Sequence, residues 1–266
     1  MSLKLPTRPA DGHKGTFGSL AVIGGQISRD TVMLGSAAFV AKSAIRSGVG
    51  LVYFAGQKDV LIELIKMVPQ AVGKSLDNVK PDAVVAGPGL GQSDKSIAAI
   101  KKVLGLKIPI VIDADGLNIL ASQPRLLEAV HDKCVLTPHL GEFERLAKSA
   151  RVETANELAN KLGCCVVLKG HETTLSDGQK TWVNKVSNPA LATGGTGDVL
   201  AGLIGGLLAQ YYPKLSIFNC IQLGVMIHSQ AGFVWSQQNG SAGLIIDELI
   251  DLLPQTIEKL RAKTFV

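Results

Sequence analysis

The chain has 266 residues, 46% hydrophobic and only 5% aromatic, with 29 glycines and a formal net charge of +5. That length supports a full buried core, and the glycine-punctuated composition favours an α/β enzyme over a β-sandwich or a coiled coil. The basic residues are scattered, with no run of five or more, which argues against nucleic acid as a partner.

In chain order, the opening MSLKLPTRPADGHKG has no apolar signal-peptide core, so a cytoplasmic protein is expected. Short apolar runs then alternate with helical patterns. Strands are predicted at Leu20–Ile23, Leu51–Ala55, Ala83–Ala86, Ile110–Ile112, Cys134–Leu136 and Cys165–Leu168. Helices are predicted at Thr31–Ser47, Val60–Met67, Ser96–Leu104, Leu117–Ala121 and Glu142–Leu162, the last broken near Ala150. Such a rhythm implies a mostly parallel sheet with helices on both faces. Glu172–Leu175 and Thr181–Asn184 flank the turn SDGQ and read as an antiparallel hairpin at one sheet edge. Beyond Gly194 the pattern is wholly helical: Asp198–Tyr212, Ser216–Gln237 and Ile246–Arg261. No apolar run approaches the ~18 uninterrupted residues of a membrane span. Gly205 and Gly206, within the most apolar helix, point to close packing. No repeat or linker interrupts the series, and a single domain over residues 1–266 is expected.

The unusual residues gather at strand ends, where open α/β sheets bind their ligands. GPGLG (Gly87–Gly91) follows AVVA, and DADG (Asp113–Gly116) follows IVI. TPHLGE (Thr137–Glu142) follows CVL, and KGHET (Lys169–Thr173) follows VVL. His139 then reads as a ligand contact; Lys169 either meets a nucleotide's phosphate or snorkels to solvent, and Asp113 and Asp115 are either candidates for a hydrated magnesium or ordinary acids of a polar loop. Absent are the phosphate-binding loop of nucleoside triphosphatases, the dinucleotide G-x-G-x-x-G turn, H-E-x-x-H and G-x-S-x-G. Cys134, Cys164, Cys165 and Cys220 have no zinc-like spacing and read as reduced thiols in the core.

One stretch sharpens the question: ATGGTGDVLAG, Ala192–Gly202. Gly194, Gly195, Thr196 and Gly197 offer free backbone N–H groups to a phosphate at a helix start. Asp198 follows at once. Either it caps the helix, or it is a general base beside the phosphate.

Taken together, HKGTFGSLAVIGG, PDAVVAGPGLGQ, VIDADGLNIL, VLTPHLGEFERL, VVLKGHETTLSDG and NPALATGGTGDVLAGLIGGLLAQ resemble the NAD(P)H-hydrate dehydratase family. That family belongs to the ribokinase-like superfamily and is also described as carbohydrate kinase-related. The resemblance implies removal of water from hydrated, 6-hydroxylated NADH or NADPH, driven by ADP or by ATP, with Mg2+ as cofactor and ADP expected here. It implies Asp198 as the base, and Ser36, Gly89, His139 and Asp198 against the hydrated dinucleotide. It places Lys169, Gly170, His171, Glu172, Thr173 and Gly197 along the adenine nucleotide. Ser36 stands where the family usually has alanine. Relatives commonly carry a preceding epimerase domain, for which the chain ahead of HKG leaves no room, and they tend to be tetramers. The competing readings are a small-molecule kinase of hydroxymethylpyrimidine or hydroxyethylthiazole type, and a non-catalytic nucleotide sensor.

Overall fold

The computed structural model describes residues 3–262. Its centre is a nine-stranded sheet. The strands are β1 (Ser19–Ile23), β4 (Leu51–Ala55), β5 (Val72–Lys74), β6 (Ala83–Ala86), β7 (Ile110–Ile112), β8 (Cys134–Leu136), β9 (Cys165–Leu168), β10 (Thr173–Ser176) and β11 (Thr181–Asn184). Their order is β11-β10-β9-β8-β7-β6-β1-β4-β5, parallel from β5 to β9 and antiparallel through β10 and β11. A separate two-stranded ribbon pairs β2 (Gln26–Ile27) with β3 (Val32–Met33). Ten helices are present among the described residues: α1 (Gly35–Arg46), α2 (Lys58–Met67), α3 (Asp94–Leu104), α4 (Asp115–Ser122), α5 (Pro124–Leu127), α6 (Leu140–Ala150), α7 (Ala155–Leu162), α8 (Thr196–Tyr211), α9 (Ile217–Asn239) and α10 (Ile246–Arg261).

Strand side chains alternate between two cores, because successive Cβ atoms leave a strand on opposite faces. Leu20, Val22, Val85, Val111, Val135 and Val167 join the core beneath α1, α8, α9 and α10. Ala21, Ile23, Val84, Ile112, Leu136 and Val166 join the core beneath α3, α4, α6 and α7. Both faces are buried, so the strands read as continuous apolar runs rather than alternating ones.

Helix α8 packs tightly against the sheet and α1. A Cβ on Gly205 would stand 2.5 Å from Val85 Cγ2, and one on Gly202 would stand 2.3 Å from the Val40 carbonyl oxygen of α1. The Ser43 hydroxyl of α1 donates to the Val199 carbonyl at 2.6 Å. Helix α9 has the length and composition of a membrane span, but 67% of its most apolar window is buried inside the molecule.

Three elements differ from expectation. The segment predicted as helix from Thr31 begins instead as the β2–β3 hairpin, closed by Ser28 N–H donating to the Thr31 carbonyl at 2.8 Å; the helix starts at Gly35. The β-branched pair Thr31-Val32 favours the extended form once a partner strand is available. Strand β5 has all three residues exposed at the sheet edge, and α5 is a four-residue turn started by Pro124; neither carries a hydrophobic period. The predicted break near Ala150 is a left-handed residue, Arg151 at φ 55°, with Thr154 capping α7.

Candidate functional site

The parallel strands β6 to β9 end on one rim, and their loops converge there with the start of α8. Asp113, one residue past β7, is 2% exposed. Its carboxylate is held by Lys169, one residue past β9, with Nζ to Oδ1 at 2.7 Å. Register explains the meeting of the outer loops: His139 and Lys169 form a parallel bridge just beyond β8 and β9, and Lys169 N–H donates to the Pro138 carbonyl at 2.8 Å.

Asp198 sits in the first turn of α8, beside that pair. The helix is capped by Gly195 with φ 102°, and Val199 N–H to the Gly195 carbonyl is its first intrahelical bond. Asp198 is therefore the third helical residue and not the cap. The N–H groups of Thr196, Gly197 and Asp198 have no partner within the helix, and the helix dipole adds partial positive charge there. Burial raises the Asp198 carboxyl to about 6, helped by the negative charge of Asp113, while the Ser36 hydroxyl donating to it and the Lys169 charge pull the other way. Ser36 opens α1, next to Gly89, where a Cβ would lie 3.5 Å from Ser36 Cβ. Thus Ser36, Gly89, Asp113, Lys169 and Asp198 form one cluster.

His139 caps α6 from the opposite side. Its Nδ1 accepts from Gly141 N–H at 3.1 Å, its own N–H donates to Glu142 Oε2 at 2.9 Å, and its Nε2 lies 3.3 Å from Glu142 Oε1. Glu142 is 6% exposed, so a buried carboxylate fixes a half-exposed imidazole at the rim.

A cavity of about 370 Å³ opens behind Lys169 and Gly197. Gly170, His171 and Thr173 line one wall, Asn188, Pro189, Leu191, Ala192 and Thr196 another, and Val225, His228 and Ser229 of α9 the floor. Glu172 is not among the lining residues; it lies in the bend between β9 and β10. Of the expected phosphate nest, Thr196 and Gly197 face the cavity, Gly194 is open to solvent and Gly195 packs on Ile246 and Phe39. His228 was not legible as a site residue, since it lies inside an apolar helix. Its Nε2 meets the Thr196 carbonyl at 2.9 Å, which requires that nitrogen to carry the proton, and burial lowers its pKa to about 4. A lone histidine on the buried stripe of α9 was the only available signal.

Asp115 is engaged elsewhere, accepting from Gly91 N–H at 2.8 Å, so it braces the GPGLG turn. Among the described residues no group of three or more His, Cys, Asp or Glu side chains is placed to hold a metal.

A family profile described as NAD(P)H-hydrate dehydratase matches residues 20–255. The chain belongs to that family. It is 38% identical to the bifunctional NAD(P)H-hydrate repair enzyme of Coxiella burnetii over 92% of its length, and spans 51% of that protein. The chain therefore covers about half the length of such bifunctional relatives. It is 33% identical to the ADP-dependent (S)-NAD(P)H-hydrate dehydratase of Bacillus subtilis, covering 94% of this chain and 93% of that one. A crystal structure of the ADP/ATP-dependent NAD(P)H-hydrate dehydratase of Bacillus subtilis, co-crystallised with ATP and Mg2+, superposes with a TM-score of 0.79 at 29% identity, covering 97% of this chain and 95% of that one. The fold is ribokinase-like, as the resemblance implied.

Proposed function

We propose that this NAD(P)H-hydrate dehydratase family member restores NADH or NADPH from the hydrated form, converting ADP to AMP and phosphate. The observation that carries the reading is Asp198, a desolvated carboxylate near pKa 6, set beside unpaired helix N–H groups at the mouth of a nucleotide-sized cavity. The adenosine end of ADP occupies the cavity over His228, and its phosphates lie against Gly197 and Lys169. Asp198 takes the proton of the substrate's C6 hydroxyl as that oxygen bonds to the terminal phosphorus and AMP departs. The helix N–H groups carry the charge that develops on the transferring phosphoryl oxygens. The ring nitrogen's lone pair then expels the C6 phosphate, and loss of a C5 proton restores the dihydronicotinamide.

The residues fit Mg2+ carried by the nucleotide rather than caged by protein, with Asp113 placed beside Lys169 to share it. Bound there, the ion would neutralise phosphate charge. Cytoplasmic location and a tetrameric assembly belong to the same proposal.

Incubating the protein with hydrated NADH and either ADP or ATP tests it, following recovery of dihydronicotinamide absorbance and release of AMP or ADP. The expected result is turnover with ADP at a higher kcat/KM than with ATP. Comparable or better turnover with ATP overturns the nucleotide assignment. A stable phosphorylated product instead of NADH would mark a small-molecule kinase.

A further inference from the structure

Resting on the nucleotide reading of the cavity, we infer that His228 Nδ1 accepts a hydrogen bond from the nucleoside of ADP and makes the cavity select for that donor. The other polar side chains deep in the cavity are engaged within the protein. Asn188 Oδ1 accepts from Ala190 N–H at 3.0 Å, and Asn188 Nδ2 donates to Ser236 at 3.3 Å. The Thr196 hydroxyl donates to the Leu191 and Thr193 carbonyls, at 2.9 and 3.1 Å. Ser229 donates to the Val225 carbonyl at 2.9 Å and accepts from Asn184 at 2.6 Å.

His228 differs from these. It is buried, at 9% exposure, yet lines the cavity floor. The Thr196 carbonyl takes the Nε2 proton, and this fixes the tautomer with a bare lone pair on Nδ1. Nδ1 makes no hydrogen bond among the described residues, and it is not sealed in the interior as the unpartnered His131 Nε2 is. Its lone pair therefore opens into the cavity. Burial, helped by the Lys169 charge, keeps the ring neutral at physiological pH, so the acceptor persists there. Around it Val186, Leu191, Leu200 and Val225 offer only apolar contact. A single directional acceptor in such walls orients a ligand, and left unpaired it penalises an analogue that lacks the matching donor. Adenosine carries such donors on its 6-amino group and on its ribose hydroxyls. A base with a 6-keto oxygen at that place would set lone pair against lone pair.

Equilibrium titrations of wild type, His228→Gln and His228→Asn with ADP, inosine 5′-diphosphate, 2′-deoxy-ADP and 3′-deoxy-ADP test the inference. Gln sets its amide nitrogen where Nε2 stood, so it keeps the Thr196 bond and removes only the acceptor. Asn sets an amide oxygen near Nδ1 and removes the Thr196 bond instead. One analogue is expected to bind wild type roughly tenfold more weakly than ADP, the effect of one hydrogen bond to a buried acceptor. In His228→Gln, ADP should weaken by that factor while the same analogue binds as it does to wild type. His228→Asn should keep the preference for ADP. Coupling to inosine diphosphate assigns the donor to the 6-amino group, and coupling to a deoxynucleotide assigns it to that ribose hydroxyl. Equal weakening of all four nucleotides in His228→Gln marks a structural histidine and overturns the inference, as does unchanged ADP affinity. If His228→Gln does not fold, wild type decides: a donor-dependent preference kept in His228→Asn supports the inference, and equal binding of all four nucleotides overturns it. Titration requires no turnover. Absence of ADP binding by wild type would overturn the nucleotide reading of the cavity, whereas ADP binding without dehydration counts against the proposed reaction alone.

Discussion

As the proposed base, Asp198 stands where two demands conflict. A base poised near the working pH must be desolvated, and desolvation opposes its charge. Its carboxyl, raised from 3.8 to about 6, corresponds to about 3 kcal/mol of native stability forfeited when it ionises. That stability is fully present below pH 3.8 and is lost as pH rises through about 6. Asp198→Asn should therefore be more stable than wild type at pH 7.5, with the difference shrinking as pH falls through 6 towards 4, as denaturant unfolding would show. The same change should lower kcat by roughly 10²–10⁴ while ADP affinity holds or rises. A folded, ADP-binding Asp198→Asn protein with a tenth of wild-type kcat would place the base elsewhere. For wild type, kcat/KM should fall tenfold per pH unit below an apparent pKa near 6, because only the ionised carboxylate accepts the hydroxyl proton.

Lys169 couples the elements. The tip of β9 delivers it to Asp113 of the β7 loop and to the first turn of α8, where a Cβ on Gly197 would lie 3.2 Å from Nζ. Removing it strands a buried carboxylate. Lys169→Ala is expected to cost about 3 kcal/mol of stability and to raise the KM for ADP more than it lowers kcat. It should also move the acid limb of the rate profile to higher pH, since the Lys169 charge holds the Asp198 pKa down. Adding Asp113→Asn should recover most of the stability but not the nucleotide affinity; recovery of both would make Lys169 a structural residue only. Within α8, Gly205→Ala gains helix propensity of about 1 kcal/mol but drives a methyl into Val85. Net destabilisation of roughly 1–3 kcal/mol is expected from thermal unfolding.

For the whole molecule, the rim site joins both layers: Asp113, His139 and Lys169 come from the sheet's loops, Ser36 and Asp198 from helices on one face. Nucleotide binding should therefore stabilise the entire fold rather than one loop. At a hundred times its Kd, ADP would add about 2.7 kcal/mol, visible as a rise in Tm. The rise should persist in Asp198→Asn and shrink in Lys169→Ala. A Tm shift lost in Asp198→Asn would mean that the carboxylate binds nucleotide instead of serving the reaction.

Sequence by itself determined the parallel sheet, because strands buried on both faces must be continuously apolar, as Ala83–Ala86 and Cys165–Leu168 are. It also marked the rim loops, since glycine turns and charges directly after such runs have no place in the core. The family motifs added the reaction and singled out Asp198. Neighbours distant in the chain were decided only by tertiary structure. Register across β8 and β9 set Lys169 beside His139, burial tied Asp113 to Lys169, and α8 docking on α1 brought the Ser36 hydroxyl to Asp198. Arg145 and Asn118 read as ordinary polar helix residues until α4 and α6 pack together. Local periodicity reports which face of an element is buried; it carries no record of which other element will cover that face.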